Sequence, residues 1–267
     1  MQDSFQQGVD AFQSQRYEQA IAAFTQAIRQ NPNRAAAYGN RCLAYLKLNQ
    51  NSLAIADCTQ ALERDFSNAE FYLNRGLANY RLGLYTAAID NYNQVLSLKP
   101  DDYRAFYNRG LAEFGLAHYS AAIADYNRSL QRTPQLSAAR MAAIYDDRGA
   151  AYLLIQKPAA AVRDFLQAIN YDASDSSAFF NLACACHQQG YELAAIEYFS
   201  QVLGMDSHQA QTYLNRGLIY SQIGKKQQAI ADLHQAAHYL QQQGSQAAYQ
   251  QVTRILHQLQ TEPSVFG

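Results

Sequence analysis

The chain has 267 residues, 49% hydrophobic and 16% charged, with a net charge of −1 and a pI of about 6.6. That balance excludes a disordered chain, and it excludes a phosphate-tracking nucleic-acid binder, which carries a basic excess. No apolar run approaches the roughly 20 residues that span a bilayer, and the opening MQDSFQQGVDAF lacks the basic-then-apolar order of a signal peptide. The expected location is the cytoplasm, with docking at the periphery of a membrane complex left open.

Residues 1–34 carry two helix-length patterns. Gly8 lies in the first, Ala20, Ile21 and Phe24 in the second, and Pro32 follows where the chain must turn. Residues 35–68 repeat the order with Cys42, Ala54, Ile55 and Cys58. Residues 69–102 restate it with Gly76, Ala88, Ile89, Tyr92 and Pro100, and 103–136 with Gly110, Ala122, Ile123, Tyr126 and Pro134. A five-residue insertion near 137–141 (SAARM) precedes 142–175, where Gly149, Ala161, Val162 and Phe165 resume the frame. Pro158 there starts a second helix, where a missing N–H costs little. Residues 176–209 supply Ala183, Ala195, Ile196 and Phe199, and 210–243 supply Gly217, Ala229, Ile230 and Leu233. Beyond them Val252, Ile255, Leu256 and Leu259 lie on one stripe, which predicts a capping helix over 245–260. Residues 261–267 read as a flexible tail.

Within a repeat the spacing is helical: Tyr72, Gly76 and Tyr80 lie at i, i+4 and i+8. Each repeat is therefore a hairpin of two helices brought close by small residues. One hairpin cannot bury its own face, so neighbours must stack. The pattern resembles the tetratricopeptide-repeat family. Its small–aromatic spacing, alanine–aromatic run and terminal proline occupy the family's defining columns over residues 1–243. The resemblance implies an all-α fold, an α-solenoid of antiparallel hairpins wound into a right-handed superhelix, as a single domain over 1–260. Phe66, Ala173, Ser207 and Gln241 depart from the terminal proline, and the insertion is expected to lengthen the first helix of repeat five by over a turn.

None of the four cysteines has a CxxC spacing, and Cys42, Cys58, Cys184 and Cys186 are expected to be buried, reduced thiols. Cys184 and Cys186, in CACH ending at His187, point to different faces of one helix. No metal and no cofactor is expected.

The recurring Asn-Arg-Gly motif separates by column. Sixteen residues after Arg41, Arg109, Arg148 and Arg216 stand Asp57, Asp125, Asp164 and Asp232, and Arg75 matches Asn91. Where the arginine is lost so is the acid, with Leu182 matched to Tyr198 and Gln7 to Ala23. An Arg–carboxylate contact inside each hairpin is the expected cause. The neighbouring asparagine is rotated about 100° to another face and has no comparable partner column. In the family resembled, first helices line a concave groove where such an asparagine can bond the backbone of a bound peptide. The expected peptide-binding set is Asn40, Asn74, Asn108, Asp147, Asn181 and Asn215, with Tyr80, Arg81, Arg104, Tyr107, Phe114 and Phe180 around it. A solvated surface column, or one bonded to the neighbouring repeat, is the alternative for the asparagines. Leu43, Leu77 and Leu111 read equally as groove wall or inter-repeat core. The family's two-carboxylate clamp, built from Lys, Asn, Asn, Lys and Arg, maps onto Phe5, Val9, Asn40, Glu70 and Asn74. Asn40 alone fits, so clamping of an acidic tail is not expected.

There is no GxGxxG, P-loop, GxSxG or HExxH motif, and His234 and His238 lack an intervening acid. The reading is a non-catalytic scaffold, not an enzyme, that binds a peptide or helix of a partner protein in its groove. The alternative is an assembly or maturation factor for a multi-subunit complex, membrane and photosynthetic ones among them, by analogy alone. The partner is a protein or peptide, without nucleic acid or membrane insertion, and self-association stays open.

Overall fold

Side-chain caps start the first helix of five hairpins. Asp3, Asn68, Asp102, Ser137 and Asp175 each accept a backbone N–H that the helix itself leaves unpaired. The computed structural model describes residues 3–131 and 136–261, which form fifteen α-helices and no strand. Pro134 and the tail from residue 262 lie outside the described residues. Contacts divide the chain into two compact units, 1–135 and 136–267. The first holds α1 (Ser4–Gln13), α2 (Tyr17–Gln30), α3 (Ala35–Lys47), α4 (Asn51–Arg64), α5 (Ala69–Arg81), α6 (Tyr85–Leu98), α7 (Tyr103–Gly115) and α8 (Tyr119–Leu130). The second holds α9 (Ala138–Leu154), α10 (Pro158–Tyr171), α11 (Ser176–Gln188), α12 (Glu192–Met205), α13 (Ala210–Gln222), α14 (Lys226–Gln242) and α15 (Gln246–Thr261). Within each unit every helix packs on the next in sequence.

The hairpin turn has one geometry throughout. Gln15, Asn49, Gly83, Ala117, Gln156, Gly190 and Gly224 all lie at positive φ, between 57° and 78°. The next residue returns its N–H to the helix, as Leu84 does to the Asn79 carbonyl at 2.9 Å and Tyr191 to that of Cys186 at 2.9 Å. These bonds close the helix in the Schellman manner. They hold four non-glycine residues in a conformation that glycine enters freely. The connection between repeats uses a different device. Asp65, Asp172 and Asp206 accept the N–H two residues on, at 3.1, 3.0 and 2.9 Å. These Asx turns make the bend at Phe66, Ala173 and Ser207, which stand where other repeats carry proline.

The two helices of a hairpin meet at a small residue. A Cβ added at Gly76 would lie 2.6 Å from Tyr92, at Gly110 2.7 Å from Tyr126, and at Gly149 2.6 Å from Phe165. Gly217 faces Leu233 instead, and its nearest neighbour would be 3.1 Å away. In repeat two the expectation of reduced thiols fails. Cys42 and Cys58 occupy these same two columns, their Cα atoms lie 5.5 Å apart, and the structure joins them in a disulfide. Cys184 and Cys186 are free.

Each expected arginine pair closes. Arg41 grips Asp57 at 2.6 and 2.7 Å, Arg109 grips Asp125 at 2.7 Å, Arg148 grips Asp164 at 2.7 Å, and Arg216 grips Asp232 at 2.7 and 2.8 Å. The four carboxylates are buried. Bidentate geometry is the strong form of this bond. A second arm was not foreseen. The guanidinium also reaches the previous repeat, from Arg41 to Thr25 at 2.8 Å, Arg75 to Thr59 at 3.2 Å, Arg109 to Asn93 at 2.6 Å and Arg216 to Ser200 at 2.8 Å. One arginine thus ties three helices. In repeat six the arginine and acid columns hold buried Leu182 and half-buried Tyr198, an apolar version of the pair, while Leu166 in the column of the second arm is exposed. The electrostatics follow the partner: Asp125 pushes the Arg109 pKa above its ordinary value, whereas burial against the neutral Asn91 amide pulls that of Arg75 down.

The insertion makes α9 17 residues long where α5 and α7 have 13. At the end of the second unit α15 buries Val252 and Leu256 against Ala236, Ala237 and Leu240 of α14. Such an end helix covers a face that a further repeat would otherwise cover.

Arg109→Ala strands a buried carboxylate and is expected to cost about 3–5 kcal/mol in urea unfolding, with Arg109→Leu/Asp125→Tyr, copied from repeat six, recovering much of the loss. Gly76→Ala is expected to destabilise by about 1–3 kcal/mol. Gly217→Ala should be near neutral, because the helix preference for alanine offsets the looser contact.

Candidate functional site: the first-helix face

In the first unit α1, α3, α5 and α7 touch in succession, so residues at one helical phase form a row across them. Asn40, Asn74 and Asn108 occupy one such row, each half-buried. Among the described residues, none of these three side-chain amides has a hydrogen-bond partner. The second unit shows why. There Asn181 donates to Asp146 at 3.1 and 3.3 Å, and Asp146 stands in the column filled by Gly39 and Leu73 in the first unit. Gly39 has no side chain and lies against the Phe71 ring, and Leu73 is buried. Neither offers an acceptor to the amide of the following repeat.

The expectation of an asparagine column without internal partners is therefore corrected for the second unit. Asn181 is held by Asp146. Asn215 accepts from Gln211 at 2.8 Å and lies 4.0 Å from the Cys184 sulfur. Asp147, on α9, is also engaged. The Asp146 carboxyl is pushed above its ordinary value by burial, with the Asn181 bond opposing and the charge of Asp175 adding to the rise.

The expected walls are redistributed. Tyr107 is 7% exposed with its ring 6.1 Å from Tyr126, so it belongs to the core rather than to a binding face. Tyr80, Phe114 and Phe180 are half-buried and lean on Tyr85, Tyr119 and Phe199 of their own second helices at 5.7, 5.3 and 5.4 Å. The two arginines are ties between repeats, not open charges. Arg81 donates to the Leu46 carbonyl at 2.7 Å. Arg104 bonds Glu70 at 2.6 and 3.0 Å and Asp102 at 2.7 Å, and it holds the Glu70 carboxyl below its ordinary value.

A feature that motif reading missed lies between α1, α2 and α3. Val9, Phe12, Gln13, Phe24, Asn40 and Leu43 line a cleft of about 310 Å³, apolar apart from two amides. Val9 and Leu43 share one column of the 34-residue frame, which was the available signal. Elsewhere the first-helix face offers little for metal chemistry. Among the described residues no group of three His, Cys, Asp or Glu could hold an ion. Burial pushes the Cys184 thiol up to about 11, and His187 is bonded to Glu192 at 2.6 Å.

A family model described as Tetratricopeptide repeat matches residues 5–65, 40–102, 85–137 and 147–210, and a second of that description matches 210–238. A stretch of 43 residues is 46% identical to Hsp70-Hsp90 organizing protein 1 of Arabidopsis thaliana, covering 16% of this chain and 8% of that protein. Among solved structures, Pseudomonas aeruginosa pilF superposes with a TM-score of 0.68 at 18% identity, over 82% of this chain and 96% of its own. PilW, a widely conserved type IV pilus biogenesis factor, gives 0.66 at 22% identity over 75% and 91%. YrrB, described as having an unusual peptide-binding site, gives 0.61 at 19% identity over 74% and 97%. At these identities the likeness is one of fold.

The half-buried Asp146 sets a pH-dependent expectation. Its folded pKa is raised, so the folded state holds the proton more tightly, and its contribution to stability is present at acid pH and lost as pH rises from the ordinary 3.8 through the folded value. Asp146→Asn should therefore gain melting temperature over the unsubstituted chain as pH is raised from about 4 to 7. A gap that does not grow with pH would count against this role.

Proposed function

The chain belongs to the tetratricopeptide-repeat family, and on that premise we propose that it is a non-catalytic scaffold binding an extended peptide across the first-helix face of its N-terminal unit. Proteins of this family bind other proteins through such repeats. The observation that carries the reading is the row of unpartnered amides at Asn40, Asn74 and Asn108. A carboxamide offers a donor and an acceptor, matching the pair on each peptide unit. Covered without a partner, such groups are costly, so an apolar ligand suits the row poorly and a peptide backbone suits it well. The adjoining cleft of about 310 Å³ supplies the apolar complement, a place for one bulky side chain of the same peptide. The peptide-binding site named for YrrB supports this use of the fold.

A second reading concerns the role that such binding serves. PilW is named as a biogenesis factor, and an assembly or maturation factor for a multi-subunit complex would use the same face to hold an unassembled subunit. Among the described residues no helix is long and apolar enough to cross a membrane.

The test compares the wild-type chain with Asn40→Ala/Asn74→Ala/Asn108→Ala on peptides selected from a displayed library. With an unchanged melting temperature, the triple variant should bind roughly 10- to 1000-fold more weakly, since each of three neutral hydrogen bonds contributes about 0.5–1.5 kcal/mol. Asn181→Ala, whose amide is already engaged, should bind as the wild type does. Equal affinity of wild type and a folded triple variant would remove the row from the site.

A further inference from the structure

The hairpins share a contact between a small residue on the first helix and a residue sixteen positions later on the second. In four repeats glycine faces an aromatic ring, as Gly8 faces Phe24 and Gly149 faces Phe165, with a built Cβ 2.5–2.7 Å from the ring. Repeat two departs from this rule at both ends at once. Cys42 and Cys58 stand in the two columns, sixteen residues apart, fully buried and bonded. As separate thiols they would leave two short side chains where the other hairpins place a ring or Leu233, an under-filled core of the kind that costs stability. The bond also adjoins a second tie. Arg41 and Asp57, each one residue before a cysteine, form the buried ion pair of the same hairpin. Asn40 and Leu43, which line the cleft, flank Cys42 on α3.

We propose that the Cys42–Cys58 disulfide is a covalent substitute for the glycine–aromatic contact, and that the chain matures and works in an oxidising compartment rather than the reducing cytoplasm. Disulfides persist in oxidising compartments and are scarce where glutathione and thioredoxin keep thiols reduced. The bond forms by exchange. The two thiols lose two protons and two electrons as Sγ–Sγ closes, and the acceptor, a dithiol-disulfide oxidant, is reduced from its own disulfide to two thiols. The remaining cysteines have no such option with each other, because Cys184 and Cys186 lie two residues apart on α11 and face different sides. Both bonded sulfurs are buried, so a reductant reaches them only when the hairpin opens.

The experiment traps thiols with acid in cells that make the protein naturally, then alkylates the denatured chain and maps it by mass. The expected result is alkylation at Cys184 and Cys186 only, with the peptides of Cys42 and Cys58 linked. Alkylation at all four would overturn the proposal. Melting then tests the substitution. Reduction of the unfolded chain followed by refolding in dithiothreitol should lower the melting temperature by about 5–10 °C. Cys42→Gly/Cys58→Phe, which restores the contact of repeats one and five, should regain most of that loss and ignore reductant. If it melts no higher than Cys42→Ala/Cys58→Ala, or if reduction leaves the wild type unmoved, the bond does not replace the packing contact and the proposal fails.

Discussion

The close approach of two helices across a small residue, repeated along the chain, is the constraint on which the other contacts depend. Where glycine meets a ring, the hairpin is narrow and its buried aromatic sits at the centre of a small cluster, as Tyr92 does with Ala88 and Val95. A narrow hairpin has too little interior to bury its own apolar faces, so each must be covered by the next repeat. Stacking therefore follows from hairpin geometry, and the first helices of the N-terminal unit are brought into a contiguous row by it.

The arginine junction reads that geometry with a polar group. Its fork closes on a carboxylate in the same hairpin and extends a second arm to the previous one, so it forms only when both the hairpin and the stack are in register. Buried ion pairs contribute little net stability over apolar packing but penalise strongly any arrangement that separates them. Repeat six illustrates the trade. Leu182 and Tyr198 occupy the two columns of the ion pair with no charge at all, and the repeat keeps its fold. The arginine serves alignment, and an apolar pair can stand in its columns.

Binding capacity depends on what the stack leaves unsatisfied. The same asparagine column behaves differently in the two units because the amide reaches toward the preceding repeat. Asp146 answers it in one place, and Gly39 and Leu73 do not in the other. A candidate rung is thus defined by a pair of residues in two repeats, and the residue named in a motif is only half of it. The oxidised pair in repeat two holds α3, the helix that carries Asn40, against α4, which connects the covalent chemistry of the chain to the face proposed to bind.

Much of this was determined by the sequence alone. The 34-residue frame, the two helices in each repeat and the pairing of Arg41, Arg109, Arg148 and Arg216 with acids were legible because repeated copies of one column vary together, and partners within a hairpin keep a constant spacing. The Asx turns between repeats, the second arginine arm and the disulfide were not read. Their partners change identity from repeat to repeat, as with Thr25, Asn93 and Ser200, or occur in a single repeat, as with Cys42 and Cys58, where no second copy of the column shows the pairing. Only the tertiary structure decided which asparagines are free, that Arg81 and Arg104 are ties and that Tyr107 is core. The physical reason is that satisfaction of a polar group and burial of a ring are properties of three-dimensional neighbourhoods. A column records which residue recurs, and only the packed helices show what lies across from it.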